Sequence, residues 1–208
     1  MPENSLPPIA KVIPKKLKKF GEVRIDNYFW LNDRENPEVI DYLNQENAYY
    51  QEKTAHTRGF QTALFEEMKS RIKEDDQSVP YLYNGYYYIT RYEKGQDYPI
   101  YSRKKESLSA KEEILFNCNE MAKDKPYFQL GALSISPDNK LALFSCDIVG
   151  RRIYTIQIKN LETNEILEDK IENVTGSAVW ANDNKTIFYS GQDDVTLRSH
   201  KIFKHKLG

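Results

Sequence analysis

A strand–turn–strand–turn–strand unit between Leu133 and Leu161 constrains the fold more than any other part of this chain. An apolar run closes at Ser136, Pro137-Asp138-Asn139 makes a turn, and a second apolar run goes from Leu141 to Ser145. After a polar break containing Gly150, isoleucines alternate with other residues from Ile153 to Ile158. Alternation with a period of two marks strands with a buried face, and Pro, Asp, Asn and Gly mark the turns between them. The unit returns at Val179–Ser190, with Lys185 matching Lys140 about 45 residues further on, a spacing typical of propeller blades built from several short strands.

An earlier stretch fits the same scheme. Tyr81–Tyr92 holds Asn84-Gly85 between two aromatic runs, the strongest short-range hairpin signal. Glu93–Asp97 makes the next turn, Tyr98–Arg103 the next strand, and Ile114–Asn117 a fourth. Blades are therefore expected at 81–117, at Leu133–Leu167 and at Val174–Gly208.

The first 75 residues read differently. Pro2, Pro7, Pro8 and Pro14 precede a basic run, Lys15–Lys19. Prolines remove donors and oppose helix, so this segment is expected to be an extended arm, its lysines a solvated linker rather than an anion- or membrane-binding surface. Tyr28, Phe29, Trp30 and Leu31 form an aromatic block. Asn36-Pro37 supplies a cap and a first-turn proline for a helix running to about Lys53, with Val39, Leu43 and Tyr50 on one face. A second helix is expected over Phe60–Lys73, where Leu64, Met68 and Ile72 repeat at helical spacing. Two such helices must pair with each other or pack on another body. The expected fold class is mainly β: a partial β-propeller of about two to three blades, preceded by an extended arm and two α-helices. The expected division is 1–75 and 76–208.

Charge and motif searches remove several function classes. Thirty basic and 31 acidic residues leave a net charge of −1, which makes no electrostatic case for nucleic acid. The N-terminus lacks the order of a secretory signal, and no run approaches the roughly 20 apolar residues of a membrane span. Cys118 and Cys146, far apart, suggest neither a disulfide nor a zinc framework. A reducing compartment, the cytoplasm, is the expectation, with the periplasm also open.

None of the nine glycines has the spacing of a G-x-S-x-G elbow, a G-x-G-x-x-G turn or a phosphate loop. Of the three histidines, His56 lacks a neighbouring nucleophile motif, and His200 and His205, five apart in a strand-like run, point to opposite faces and cannot share a metal. Asp75-Asp76 and Asp193-Asp194 read as turn and surface charges, and Cys146 as a small half-buried residue following a strand. Arg151, Arg152 and Arg198 are read either as solvated arginines or as residues that make ion pairs across blades or domains or point into a central channel. No catalytic, cofactor-binding or metal residue is assigned, and no cofactor is expected.

Arg24–Asp33, R-I-D-N-Y-F-W-L-N-D, resembles the N-terminal signature of oligopeptidase B, in the prolyl oligopeptidase family of serine peptidases. The resemblance continues in order through Ser78–Tyr81, Asn84–Tyr88, Tyr98–Lys104, Val149–Ile156 and Asp194–Gly208. It implies a seven-bladed propeller inserted after an N-terminal segment and a C-terminal α/β-hydrolase domain carrying a Ser-Asp-His triad. Residues 1–75 would pack on that hydrolase domain, and the remainder would form the first blades. Members of the family cleave short peptides after Lys or Arg, and the propeller excludes folded proteins. The triad would lie beyond Gly208, so this chain is expected to be truncated and inactive alone. Its expected partners are the hydrolase domain of the same protein and short basic peptides. The alternative is a stand-alone binding module without enzymatic activity, whose open blade faces and strand edges demand oligomerisation or a partner.

Overall fold

A computed structural model describes residues 6–208. It divides into two compact units, one ending at Ile72 and one running from Lys73 to Gly208. Of the expected arm, Pro2 lies outside the described residues.

In the first unit residues 6–14 form neither helix nor strand, in keeping with their prolines. It is held by the Ile13 N–H donating to the Asn27 carbonyl and the Trp30 indole N–H donating to the Lys11 carbonyl, both at 2.9 Å. The basic run departs from expectation: Lys15–Lys19 (β1) pairs antiparallel with Glu22–Asp26 (β2). Phe20 and Gly21 form the tip at φ 53° and 85°, the two left-handed positions of a tight hairpin turn. A Phe-Gly tip advertises itself less than Asn-Gly, and the flanking prolines masked it.

The first helix, Pro37–Lys53 (α1), starts where its cap signal places it. The Asn36 side chain accepts from the Glu38 N–H at 3.0 Å, and Val39 is buried. The second, Arg58–Ser70 (α2), begins and ends two or three residues earlier than expected and leaves Ile72 outside. Its apolar stripe is not covered: Phe60, Phe65 and Met68 are 69%, 61% and 61% exposed.

The second unit is antiparallel β. Tyr81–Tyr83 (β3), Tyr86–Arg91 (β4), Ile100–Lys105 (β5) and Glu112–Asn117 (β6) form a four-stranded meander in chain order. Asn84 and Gly85 join β3 to β4 at φ 48° and 82°, the hairpin that the sequence announces. A short helix that the sequence reading missed, Cys118–Ala122 (α3), follows, capped by the Asn117 side chain accepting from the Asn119 N–H at 3.1 Å.

The remaining strands are Gln129–Ile135 (β7), Leu141–Asp147 (β8), Tyr154–Asn160 (β9), Ile166–Trp180 (β10), Thr186–Gln192 (β11) and Ser199–Lys206 (β12). They form a single six-stranded sheet in the order β12-β11-β10-β9-β8-β7. The expected boundary between Leu167 and Val174 is therefore absent. β10 is one strand of 15 residues that pairs with β9 through its first half and with β11 through its second. Irregular register on both sides and Asn173 at φ 57° bend it, so one strand serves as the last of one blade and the first of the next. β7 likewise begins four residues before Leu133, across an irregularity between Leu130 and Leu133.

β8 organises the packing. Its alternate residues face opposite ways. Leu143 joins Ile156, Ile158, Val174, Ala178 and Ile187 in one core cluster. Ala142 and Phe144 join Tyr88, Leu115 and Phe116 in another. Each β8 face thus meets a different blade. Ser145, fully buried, accepts from the Ala132 N–H at 2.8 Å and donates to the Gly176 carbonyl at 3.1 Å. A Cβ at Gly131 would stand 2.6 Å from the Ser145 hydroxyl and 2.7 Å from the Tyr154 ring, so only glycine lets these layers approach.

Candidate functional site

The three equivalent turns that open the blades come together in a row. Asn84 (β3–β4), Asn139 (β7–β8) and Asn184 (β10–β11) all lie at positive φ, at 48°, 65° and 59°. Asparagine tolerates this region because its short side chain bonds the local backbone. Here the side chains also bond across blades. Asn84 Nδ2 donates to the Pro137 carbonyl at 2.7 Å, and Asn139 Nδ2 to the Asn84 carbonyl at 3.1 Å. The Asp138 N–H donates to Asn184 Oδ1 at 2.9 Å. The Arg103 guanidinium, almost fully buried, joins the row by donating to the Asn139 carbonyl at 3.0 Å, while its Nε bonds Glu113 at 2.8 Å and it lies 4.0 Å from the Tyr86 ring centroid. The sequence reading passed over Arg103. Its position opposite Tyr88 in an aromatic strand pair was the available signal. This rim offers amides and one engaged cation, with no nucleophile–base pair, so its chemistry is positioning rather than bond breaking.

Asp183 anchors the third of these turns, accepting from the Lys185 and Thr186 N–H groups at 3.0 and 2.8 Å and from the Thr186 hydroxyl at 2.7 Å. The Thr186 hydroxyl first, and then the backbone donors, hold its carboxyl at about 2, below its ordinary 3.8. A depressed carboxyl stabilises the fold above its unfolded value, and that contribution disappears as pH falls through the folded one. Acid titration from about 3.8 to about 2 is therefore expected to loosen this turn. Amide exchange at Lys185 and Thr186 reads it out, and Asp183→Asn, which keeps an acceptor, is expected to flatten the dependence. Protection factors, corrected for the intrinsic pH dependence of amide exchange, that stay constant with pH in the original chain would remove Asp183 from this role.

The other residues singled out from the sequence scatter. His56 is exposed between the helices, with Nδ1 3.1 Å from the Lys53 carbonyl. His200 is exposed on β12, whereas His205 Nε2 lies 2.6 Å from Asp169 on β10, a cross-strand partner that spacing could not reveal. Arg151, Arg152 and Arg198 form no ion pair among the described residues. Arg152 instead works through its backbone, donating to Asp147 and accepting from the Gln192 side chain, both at 2.7 Å. Asp76 pairs with Lys73 at 3.0 Å, and Asp193 accepts from the Val195 and Thr196 N–H groups of its own turn. Cys146 sits inside β8 rather than after a strand. Burial pushes the Cys118 thiol up to about 12 and the Cys146 thiol up to about 11, so neither supplies thiolate near neutrality.

Both ends of the sheet stack stay open. Val179, Phe188 and Ile202 are exposed on the last strands, and Leu82 on the first sheet. A blade stack with two uncovered apolar faces is the geometry of an unclosed propeller. The protein-family description "Prolyl oligopeptidase, N-terminal beta-propeller domain" matches residues 7–208. This chain belongs to that family. It is 37% identical to dipeptidyl aminopeptidase BI of Pseudoxanthomonas mexicana, over 99% of this chain and 31% of the relative. It is 35% identical to Protease 2 of Moraxella lacunata, over 97% of this chain and 30% of that protein. Among solved structures, oligopeptidase B from Leishmania major superposes with a TM-score of 0.87 at 33% identity, covering 98% of this chain and 31% of the other. The oligopeptidase B of Trypanosoma brucei, solved in a closed form with covalently bound antipain, gives the same score at 28% identity. The chain thus spans under a third of the length of the curated relatives it matches.

Proposed function

We propose that this chain is the N-terminal segment and first propeller blades of a serine oligopeptidase that hydrolyses short peptides after Lys or Arg. The observation that carries the reading is the superposition on oligopeptidase B from Leishmania major over 98% of the chain. In this role the blades restrict access, and catalysis belongs to an α/β-hydrolase domain of the same protein. Two features support the division of labour. The exposed Phe60, Phe65 and Met68 of α2 form an apolar face suited to packing on such a domain, and Val179, Phe188 and Ile202 form one suited to a following blade. Two free cysteines, Cys118 buried and Cys146 half-buried, fit a cytoplasmic setting.

The test is hydrolysis of Lys- and Arg-amide reporter peptides by the complete protein, alongside a folded protein containing the same sites. Cleavage of the short peptides alone supports the reading, and equal cleavage of the folded protein would discard the gating role. This chain by itself is expected to hydrolyse neither. The 37% identity to dipeptidyl aminopeptidase BI favours a second specificity, release of dipeptides from a free N-terminus. Comparing N-acetylated with free-amine reporters separates the two, since blocking the amine would abolish only the second.

A further inference from the structure

Between the two sheets of the second unit, β6, α3, β8, β9 and the first half of β10 enclose a groove of about 760 Å³. Phe116, Phe144 and Met121 supply apolar lining. Two carboxylates and three lysines also line it, and their pairing is uneven. Glu120 is taken by Lys123 and Glu172 by Lys170, each at 2.5 Å. Lys159 and Lys125 have no carboxylate partner among the described residues. The Lys159 ammonium donates to the Leu115 carbonyl at 2.9 Å and lies 5.2 Å from the Phe116 ring centroid, while Lys125 donates to the Met121 carbonyl. One carbonyl satisfies one of three ammonium donors. Half-burial also disfavours the charged form, pulling Lys159 below the usual lysine range. A partly desolvated cation beside an apolar floor is complementary to an anion that carries an apolar body.

We propose that this groove binds an amphiphilic carboxylate, with its carboxyl group on Lys159 and its hydrocarbon body over Phe116, Phe144 and Met121. The volume falls within the roughly 300–1,000 Å³ of small-molecule sites, enough for a medium-length acyl chain. Each methylene buried tightens binding about fourfold. The carboxylate would replace solvent on the remaining ammonium donors and supply the counter-charge that no carboxylate among the described residues gives Lys159. This assignment does not rest on the peptidase reading, and its test involves no hydrolysis.

The probes are octanoate and its uncharged counterpart octanamide, titrated calorimetrically into the full chain. Octanoate is expected to bind about tenfold more tightly than octanamide, the difference of one charge-assisted hydrogen bond. Lys159→Met, which keeps the apolar stem, is expected to erase that preference while leaving octanamide affinity unchanged, so retained octanamide binding also certifies folding. Ile148→Trp, placed on the half-exposed lining, is expected to weaken both. The proposal is overturned if octanoate shows no advantage over octanamide, if Lys159→Met preserves the advantage, or if Ile148→Trp leaves both affinities intact. Binding of a peptide with an acidic C-terminus where octanoate fails would also overturn it, in favour of a polypeptide partner.

Discussion

Replacing Leu143 by alanine is expected to lower stability by about 3–5 kcal/mol, a large share of the roughly 5–15 kcal/mol that holds a domain together. Leu143 has no exposed surface and sits at the centre of the cluster formed with Ile156, Ile158, Val174, Ala178 and Ile187. These residues belong to β8, β9, β10 and β11, whose hydrogen bonds fix their positions, so the walls of the resulting cavity cannot collapse. Urea unfolding followed by tryptophan fluorescence measures the loss through the midpoint at unchanged slope. A loss under about 1 kcal/mol would mean that the two layers are not packed as described.

Trp180→Ala is the second large effect, expected at about 2–4 kcal/mol, below the full range for a buried tryptophan because the ring is only half-buried. Trp180 packs against the Leu143 cluster, and its indole N–H donates to the Ser134 carbonyl at 3.0 Å. It therefore joins the second half of β10 to β7, two strands that are not neighbours in their sheet. Trp180→Phe separates the contributions: it keeps most of the packing and loses the hydrogen bond, about 1 kcal/mol. If phenylalanine proved as damaging as alanine, the hydrogen bond rather than ring burial would dominate.

Local signals in the sequence were read well where the physics is local. Asn84-Gly85 demands two left-handed positions, and Asn36-Pro37 supplies both an acceptor and a preset φ, so the hairpin and the start of α1 were legible. The Phe20-Gly21 hairpin obeys the same rule with a less selective residue and was missed. The chemistry of single groups was less legible. Arg103 is a surface-type residue by composition, yet β4, β6 and the Asn139 turn enclose it. Arg151 and Arg152, more conspicuous as a pair, end in solvent.

By itself the sequence determined that the chain is mostly short antiparallel strands, repeating at blade length, preceded by two helices. Period-two alternation and turn residues are properties of neighbouring positions and need no tertiary information. The family resemblance was also readable, because its motifs are contiguous. Only the tertiary structure decided that β10 runs unbroken from one blade into the next, since continuity there depends on β9 and β11 pairing with different halves of one strand. It also decided which face of β8 meets which blade, how the Asn84, Asn139 and Asn184 turns lock together, and that Lys159 is left half-buried with no carboxylate partner among the described residues. Each is set by residues tens of positions apart, whose approach depends on register and blade rotation rather than on any local pattern.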